Sequence, residues 1–265
     1  QLDFICPAFV ILHALPSLRI FLAVASRHKL AVRNLDIRTA YLYGQVDADI
    51  HLEIPEGFEP ETEQEEAIMK DEAVCRLNKG LYGLKQSALL RNRTLVQAHL
   101  KMGFRQMQSD PCNFTMHRKG RMLILAVYVD DMLVAREDDD DLNHVLEQLK
   151  KDFTIEDIGE VKQCLGIEVE KDAVGNFCIC QTGYIERMME KFKLHASKSA
   201  RTPLQKQLKT DGSPPMDPSS YRSMIGAILH VAVATRPDVS FATSMLSGAS
   251  MEPTETHFAA CQRLI

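Results

Sequence analysis

Residues 122–135 read MLILAVYVDDMLVA. Eight apolar or aromatic residues, Met122 to Val129, run into Asp130-Asp131, and Met132, Leu133, Val134 and Ala135 follow at once. A short continuous apolar run is the pattern of a buried strand, and two such runs split by a pair of turn-forming residues are the pattern of a hairpin. Asp is poor in strands and good in turns, so the expectation is a buried hairpin that presents Asp130 and Asp131 at an exposed tip. Ionised carboxylates this close repel, and a divalent cation is the simplest way to hold both charged. Taken as a dipeptide alone, an ordinary hairpin with an acidic tip explains the pattern equally well.

Outward from the hairpin, the chain is that of a globular protein. Of its 265 residues, 45% are hydrophobic and 25% charged, enough for one large domain or two small ones. No apolar run approaches the roughly 20 residues of a membrane helix, so no membrane is expected as a partner. The N-terminus imitates a signal peptide between Phe4 and Leu15, but Asp3 stands where a basic flank belongs, and Pro16 and Arg19 interrupt the pattern. The chain opens with Gln and closes within an amphipathic pattern that starts near Pro253, so a piece of a longer polyprotein is expected. Seven Cys at irregular spacing, with no CxxC and no paired His, read as reduced thiols inside a cell rather than a disulfide or zinc framework.

Net charge is −5, yet charge is segregated. Residues 47–72 hold eleven acids against one base, Lys70, and within them 59–71 reads as a solvated loop. Residues 73–109 hold no acid and seven bases, and residues 191–210 no acid and six bases. Local basic stretches, not the total, decide whether phosphate is bound. Strands are expected at 30–37, 51–54, 74–77, 112–117 and 121–129, and a second hairpin at 162–181. Helices are expected at 18–26, 87–102, 184–192, 221–234 and from 253 onward. The four Asp at 138–141 read as the N-terminal cap of a helix carrying Leu142, Val145, Leu146 and Leu149 on one face, since no EF-hand spacing is present. The turn at 79–86, KGLYGLKQ, has two glycines and a Lys at a helix start, and can hold phosphate through backbone N–H groups.

Asp36 ends the strand expected at 30–37, and Asp130-Asp131 follow 94 residues later. Three carboxylates on two neighbouring strands can hold two divalent ions, the arrangement of nucleotidyl transfer, and magnesium suits an all-oxygen site. From the residues alone this remains a loose pattern.

Longer stretches make the pattern specific. LDIRTAYLYGQVDADIHLEIPEGF (35–58), VCRLNKGLYGLKQS (74–87), SDPCNF (109–114), LAVYVDDMLVA (125–135), LGIEVE (165–170), QTGYIERMMEKF (181–192), RTPL (201–204), YRSMIGAILHVAVATRPDVSFA (221–242) and PTETHFAACQRLI (253–265) occur in one order. In these stretches the chain resembles the reverse transcriptase of Ty1/copia-type long-terminal-repeat retrotransposons, part of a Pol polyprotein. The resemblance implies an α+β fold: the palm of a right-hand polymerase, an antiparallel sheet with helices on one face, with partial fingers and a helical thumb or connection. It implies a reverse transcriptase domain over 1–204, then a linker and a helical segment over 205–265 leading towards a ribonuclease H. The implied activity is RNA-directed DNA polymerisation, in which two magnesium ions, with manganese as an alternative, promote addition of deoxynucleotides to a primer 3′ end.

The same resemblance assigns residues. Asp36, Asp130 and Asp131 would be catalytic and metal-binding, with the Ile37 carbonyl as a further ligand. Tyr41 would be the aromatic gate against a ribose 2′-hydroxyl. Tyr82, Gly83, Lys85 and Gln86 would lie beside the incoming nucleotide and template. Leu165 and Gly166 would grip the primer end, and Lys198 and Arg201 would touch the duplex. Implied partners are an RNA template, a DNA or RNA primer, deoxynucleoside triphosphates, and the integrase and ribonuclease H of the polyprotein. The implied location is a cytoplasmic virus-like particle. Departures are local: Ser87-Ala88-Leu89-Leu90-Arg91 stands where the family continues with a Pro-Arg-Ala-Trp-like run, Phe258 replaces a Trp, and the chain has no Trp at all. A second reading follows from them, an inactive truncated remnant or interaction protein that keeps the palm fold.

Overall fold

The structure is a computed structural model, and it describes residues 14–59, 62, 74–194, 200–204 and 212–265. The expected acidic loop at 59–71 falls almost wholly outside the described residues, as do Lys198 and the segments 195–199 and 205–211 of the expected linker at 193–218. Two compact units form, residues 1–161 and 162–265.

The first unit is built on a six-stranded antiparallel sheet. Its strands are β1 (Ala31–Ile37), β4 (Arg105–Gln106), β5 (Asn113–Arg118), β6 (Arg121–Tyr128), β7 (Asp131–Arg136) and β8 (Ile155–Glu160), in the order β4-β5-β6-β7-β1-β8. A separate pair, β2 (His51–Glu53) and β3 (Val74–Arg76), is also antiparallel. The opening apolar run becomes β6 and β7, paired from Ile124↔Ala135 to Tyr128↔Asp131. The tip of the hairpin is therefore Val129-Asp130, one residue earlier than the Asp-Asp dipeptide suggests, and Asp131 is already the first residue of β7.

Side-chain alternation then divides the sheet. Leu123, Leu125 and Val127 of β6, Met132 and Val134 of β7, and Leu35 and Ile37 of β1 all enter one core. That core is closed by Leu95 of helix α2 (Ser87–Lys101) and by Leu142, Val145, Leu146 and Leu149 of helix α3 (Asp139–Leu149). A strand has period 2, so Asp36 and Asp131 belong to the opposite face. Helix α1 (Ala14–Arg27) packs against β6, and Phe21 and Val24 meet Ile124 across a cavity of about 370 Å³. The expectation of helices on one face is thus corrected: β6 and its neighbours are apolar on both faces, as a continuous run requires, and helices cover both.

Asp138 does cap α3, accepting from the Asp140 N–H at 2.9 Å. Its neighbours do more than cap. Asp141 is fully buried and accepts from Arg118 and Arg121, each at 2.7 Å, which ties the helix start to the β5–β6 turn. The Arg136 guanidinium, itself buried, pairs with Asp139.

Val129 carries the tip in a left-handed conformation, φ 52°. A β-branched residue there stores on the order of 1–3 kcal/mol of strain. Replacing Val129 with Gly is expected to raise stability by about 1 kcal/mol, once glycine's own entropy cost is set against the relieved strain. The check is a urea midpoint that rises with an unchanged slope.

The second unit joins a three-stranded antiparallel sheet, β9 (Gln163–Cys164), β10 (Ile167–Lys171) and β11 (Phe177–Cys180), to four helices. These are α4 (Thr182–Lys191), α5 (Pro218–Ala234), α6 (Ser240–Ser247) and α7 (Glu255–Gln262). Met188 of α4 and Leu194 share one core with Tyr221, Met224, Ile228, Leu246 and Leu264. The Tyr221 hydroxyl donates to the Leu246 carbonyl at 2.7 Å. Compact packing divides the chain at 161/162, and the boundary at 204/205 that the resemblance implies falls within the second unit, where the C-terminal helices share a core with α4. Among the described residues, no helix is long and apolar enough to cross a membrane. Cys75, Cys112, Cys164, Cys178, Cys180 and Cys261 are free thiols.

Candidate active site

The site begins where β1 ends. Leu35 and Ile37 are anchored in the core, so the strand cannot slip without exposing both, and Asp36 between them is held at a fixed height. β1 pairs with β7 from Ala31↔Arg136 to Asp36↔Asp131, which sets those two carboxylates directly opposite on adjacent strands. The Ile37 N–H donates to the Asp130 carbonyl at 3.0 Å, fastening the strand end to the hairpin tip.

Like charges directly across a ladder are unfavourable. Burial pushes the Asp36 carboxyl above the ordinary carboxylate range, and the nearby Asp130 and Glu156 charges add to it, with Arg38 opposing. Asp131 is likewise raised, first by burial and then by Asp36 and Asp130, while a hydrogen bond from Asn34 works the other way. Arg38 is occupied by Glu156 at 2.7 Å and Arg33 by Asp157 at 2.7 Å, so neither base neutralises the pair directly.

Asp130 leaves the ladder at the tip. Its Oδ2 accepts from the Tyr82 hydroxyl at 3.1 Å, and its Oδ1 is buried with no hydrogen-bond partner among the described residues. An unpartnered buried carboxylate oxygen beside two crowded carboxylates is a cluster short of positive charge, and an oxygen-seeking divalent cation fits it. Among the described residues, however, no three His, Cys, Asp or Glu side chains converge closely enough to enclose an ion.

Beyond Asp36 the chain turns sharply. Thr39 is left-handed at φ 55°, and Ala40–Tyr43 form one turn of 3₁₀ helix. Tyr43 is pinned by Phe153, with ring centroids 4.9 Å apart, and by the Thr154 N–H, which donates to its hydroxyl at 2.7 Å. Tyr41 instead meets Tyr82 edge-on, with centroids 4.5 Å apart. Two glycines permit this approach: a Cβ on Gly44 would lie 2.8 Å from the Leu90 Cβ, and one on Gly80 would lie 2.8 Å from the Tyr41 carbonyl oxygen. Gly80 N–H also donates to the Gly44 carbonyl at 2.9 Å. Asp36, Asp130, Asp131, Tyr41 and Tyr82 are thereby brought into one neighbourhood. Lys85 is exposed nearby in sequence, and Gln86 is the residue before α2, its side chain making no capping bond. Gly83 lies in the same turn, φ 91°.

Leu165 and Gly166 form a tight turn between β9 and β10, with φ 52° and 75°, and Arg201 is exposed. These three lie in the second compact unit. Lys198 lies outside the described residues.

The basic stretch 73–109 is corrected in part. Arg91 is not a surface base: it is 7% exposed, and its Nε and Nη2 have no hydrogen-bond partner among the described residues. Burial pushes its pKa down, and the charge of Asp130 is the largest influence holding it up. Arg76 is partnered by Asp49 at 3.4 Å. Arg91 and Asn34 are the neighbours of the carboxylates that sequence reasoning missed.

Comparison with known proteins bears on this arrangement. The family model for reverse transcriptase (RNA-dependent DNA polymerase) matches residues 3–206. The chain belongs to the reverse transcriptase family, and its relatives make it one of the Ty1/copia type. It is 31% identical to the retrovirus-related Pol polyprotein from transposon TNT 1-94 of Nicotiana tabacum, over 94% of this chain and 19% of that protein. It is 33% identical to the Pol polyprotein from transposon RE1 of Arabidopsis thaliana, over 94% of this chain and 17% of that one. A transposon Ty5-1 protein of Saccharomyces cerevisiae is 30% identical over 87% of this chain and 74% of its own length. The chain thus spans less than a fifth of the two plant polyproteins.

Proposed function

We propose that the first unit is the palm, with part of the fingers, of an RNA-directed DNA polymerase, and that the second unit begins the thumb and connection. The observation that carries this is the register Asp36↔Asp131 with Asp130 at the adjoining tip, three carboxylates from two neighbouring strands in a reverse transcriptase chain. Asp36, Asp130 and Asp131 would hold two divalent cations, with the Ile37 carbonyl as an added ligand and magnesium the natural ion for oxygen donors. When bound, such ions supply the positive charge that eases ionisation of a primer 3′-hydroxyl and departure of pyrophosphate. The unpartnered Asp130 Oδ1 and the raised carboxyls of Asp36 and Asp131 support that role.

The chain's own residues do the positioning. Leu35 and Ile37 fix Asp36 in height, and the Ile37–Asp130 bond sets the distance between strand end and tip. Tyr41, on a turn clamped by Gly44 and Gly80, offers a flat aromatic edge where a deoxyribose would pack and a 2′-hydroxyl would clash. Lys85 and the free side chain of Gln86 would meet nucleotide and template. Leu165, Gly166, Lys198 and Arg201 would meet the primer and duplex, and the location would be that of Pol particles in the cytoplasm.

The direct assay is extension of a primer on an RNA template with deoxynucleotides and magnesium. Within it, Tyr41→Ala is expected to raise ribonucleotide use relative to deoxynucleotide use by roughly one to two orders of magnitude, the size of discrimination a steric wall gives against one hydroxyl. Unchanged sugar preference in that variant would remove Tyr41 from the gate.

A further inference from the structure

Asp130 is the carboxylate nearest the hairpin tip, and one of its oxygens is already taken. Tyr82 donates to Oδ2, and it does so from a loop outside any strand or helix, with its side chain 59% exposed. The remaining oxygen is buried without a partner. The Tyr82 ring rests edge-on against Tyr41, so the same phenol touches both the tip carboxylate and the residue that faces the sugar. Behind them lies the buried Arg91 guanidinium, whose electrostatic neighbours are Asp130, Tyr41, Tyr82 and Cys112.

Resting on the reading of Asp130 as a metal ligand, we propose that Tyr82 is a latch on this site, a positioning residue that holds Asp130 Oδ2 until a divalent cation displaces it. A cation held by both oxygens of Asp130 needs Oδ2 as well as the unpartnered Oδ1, so phenol and cation compete for Oδ2 and the site exchanges between a latched arrangement and a loaded one. A cation favours the loaded arrangement by its differential affinity alone. Linkage makes the effect reciprocal: whatever weakens the latch tightens the cation. Because Tyr41 packs on Tyr82, releasing the latch also frees the edge of Tyr41, which couples metal loading to the setting of the sugar gate.

The test is a titration of the whole chain with Mn2+, reading free Mn2+ by electron paramagnetic resonance, so that no catalytic turnover is needed. Four proteins are compared: the parent, Tyr82→Phe, Asp130→Asn and the double variant. Tyr82→Phe removes one exposed hydroxyl and leaves the ring on Tyr41, so folding is not at risk. A hydrogen bond to a charged group, partly exposed, corresponds to about a three- to tenfold change in Kd. The expected result is a Kd lower by that factor in Tyr82→Phe, weaker binding in Asp130→Asn, and no gain from Tyr82→Phe in the Asp130→Asn background. If the parent and Asp130→Asn bind alike, the metal reading of Asp130 fails and the latch fails with it. If Asp130→Asn binds more weakly but Tyr82→Phe matches or falls below the parent, the latch alone is overturned.

Discussion

Asp36→Asn and Asp130→Asn are each expected to reduce primer extension by about a thousandfold, because each removes a full negative charge from the set that would hold the divalent cations. The loss should come without loss of fold. Asp36 sits opposite Asp131 with its carboxyl raised by burial and by neighbouring acids, so it is in a worse environment when ionised in the folded chain than in the unfolded one. A raised folded pKa in an acid means that ionisation above the unfolded value costs stability, and a neutral amide removes that cost. The Asp36→Asn protein should therefore unfold at the same or a higher urea concentration than the parent at neutral pH while losing extension. Asp47→Asn, in the exposed acidic stretch, should change neither. A variant that lost activity and stability together would mean that the carboxylate is structural.

The second large effect is on stability against pH, and it centres on His99. The ring has no exposure, meets Phe104 edge-on and Phe114 at a tilt, with centroids 6.1 and 4.8 Å away, and both its nitrogens lack hydrogen-bond partners among the described residues. Burial, with a smaller push from Arg91, brings its pKa down to about 4, against an ordinary 6.5. The sign follows directly. Between pH 6.5 and 4 the unfolded chain takes up a proton at this position and the folded chain does not, so stability is complete above 6.5 and is lost as pH falls. The full shift corresponds to about 3 kcal/mol. His99→Leu is expected to flatten the parent's decline across that window by about this amount, read from urea midpoints at pH 7, 6, 5 and 4. It is also expected to stabilise the protein at pH 7, since two orphaned nitrogens leave the core. Parallel pH profiles for parent and variant would show that His99 is solvated or partnered after all.

His99 and Arg91 also show where the sequence stopped being readable. They lie eight residues apart with Leu95 between them, the i, i+4, i+8 spacing of one helix face, and Leu95 marks that face as the buried one. Within the run SALLRNRTLVQAHL Arg91 looks like part of a positive surface, because burying a guanidinium is unfavourable and rare, and His99 carries no ligand spacing that would mark it. The hairpin and β1, by contrast, were legible to within a residue, since continuous apolar runs and period-2 alternation are local signals. Asp36 gained its meaning from the resemblance, since an acid alternating with Leu35 and Ile37 is ordinary for the polar face of a strand. The contact between Tyr82 and Asp130 was not legible as a bond: 48 residues separate them, and only the glycine-permitted approach of the 40–44 and 78–80 segments brings the phenol to the tip. The same holds for Asp141, read as one of four capping acids, whose burial between Arg118 and Arg121 depends on how α3 docks on the β5–β6 turn.

Asp36, Asp130 and Asp131, as proposed above, would form a template-directed nucleotidyl-transfer site. The most direct measurement is addition of a single deoxynucleotide to a primer 3′ end opposite each of the four RNA template bases, with magnesium present and each triphosphate offered alone. The expected result is addition of the complementary nucleotide by the parent chain and its disappearance in Asp130→Asn. Addition that ignores the template base, equal addition by parent and variant, or no complementary addition by the parent would contradict it.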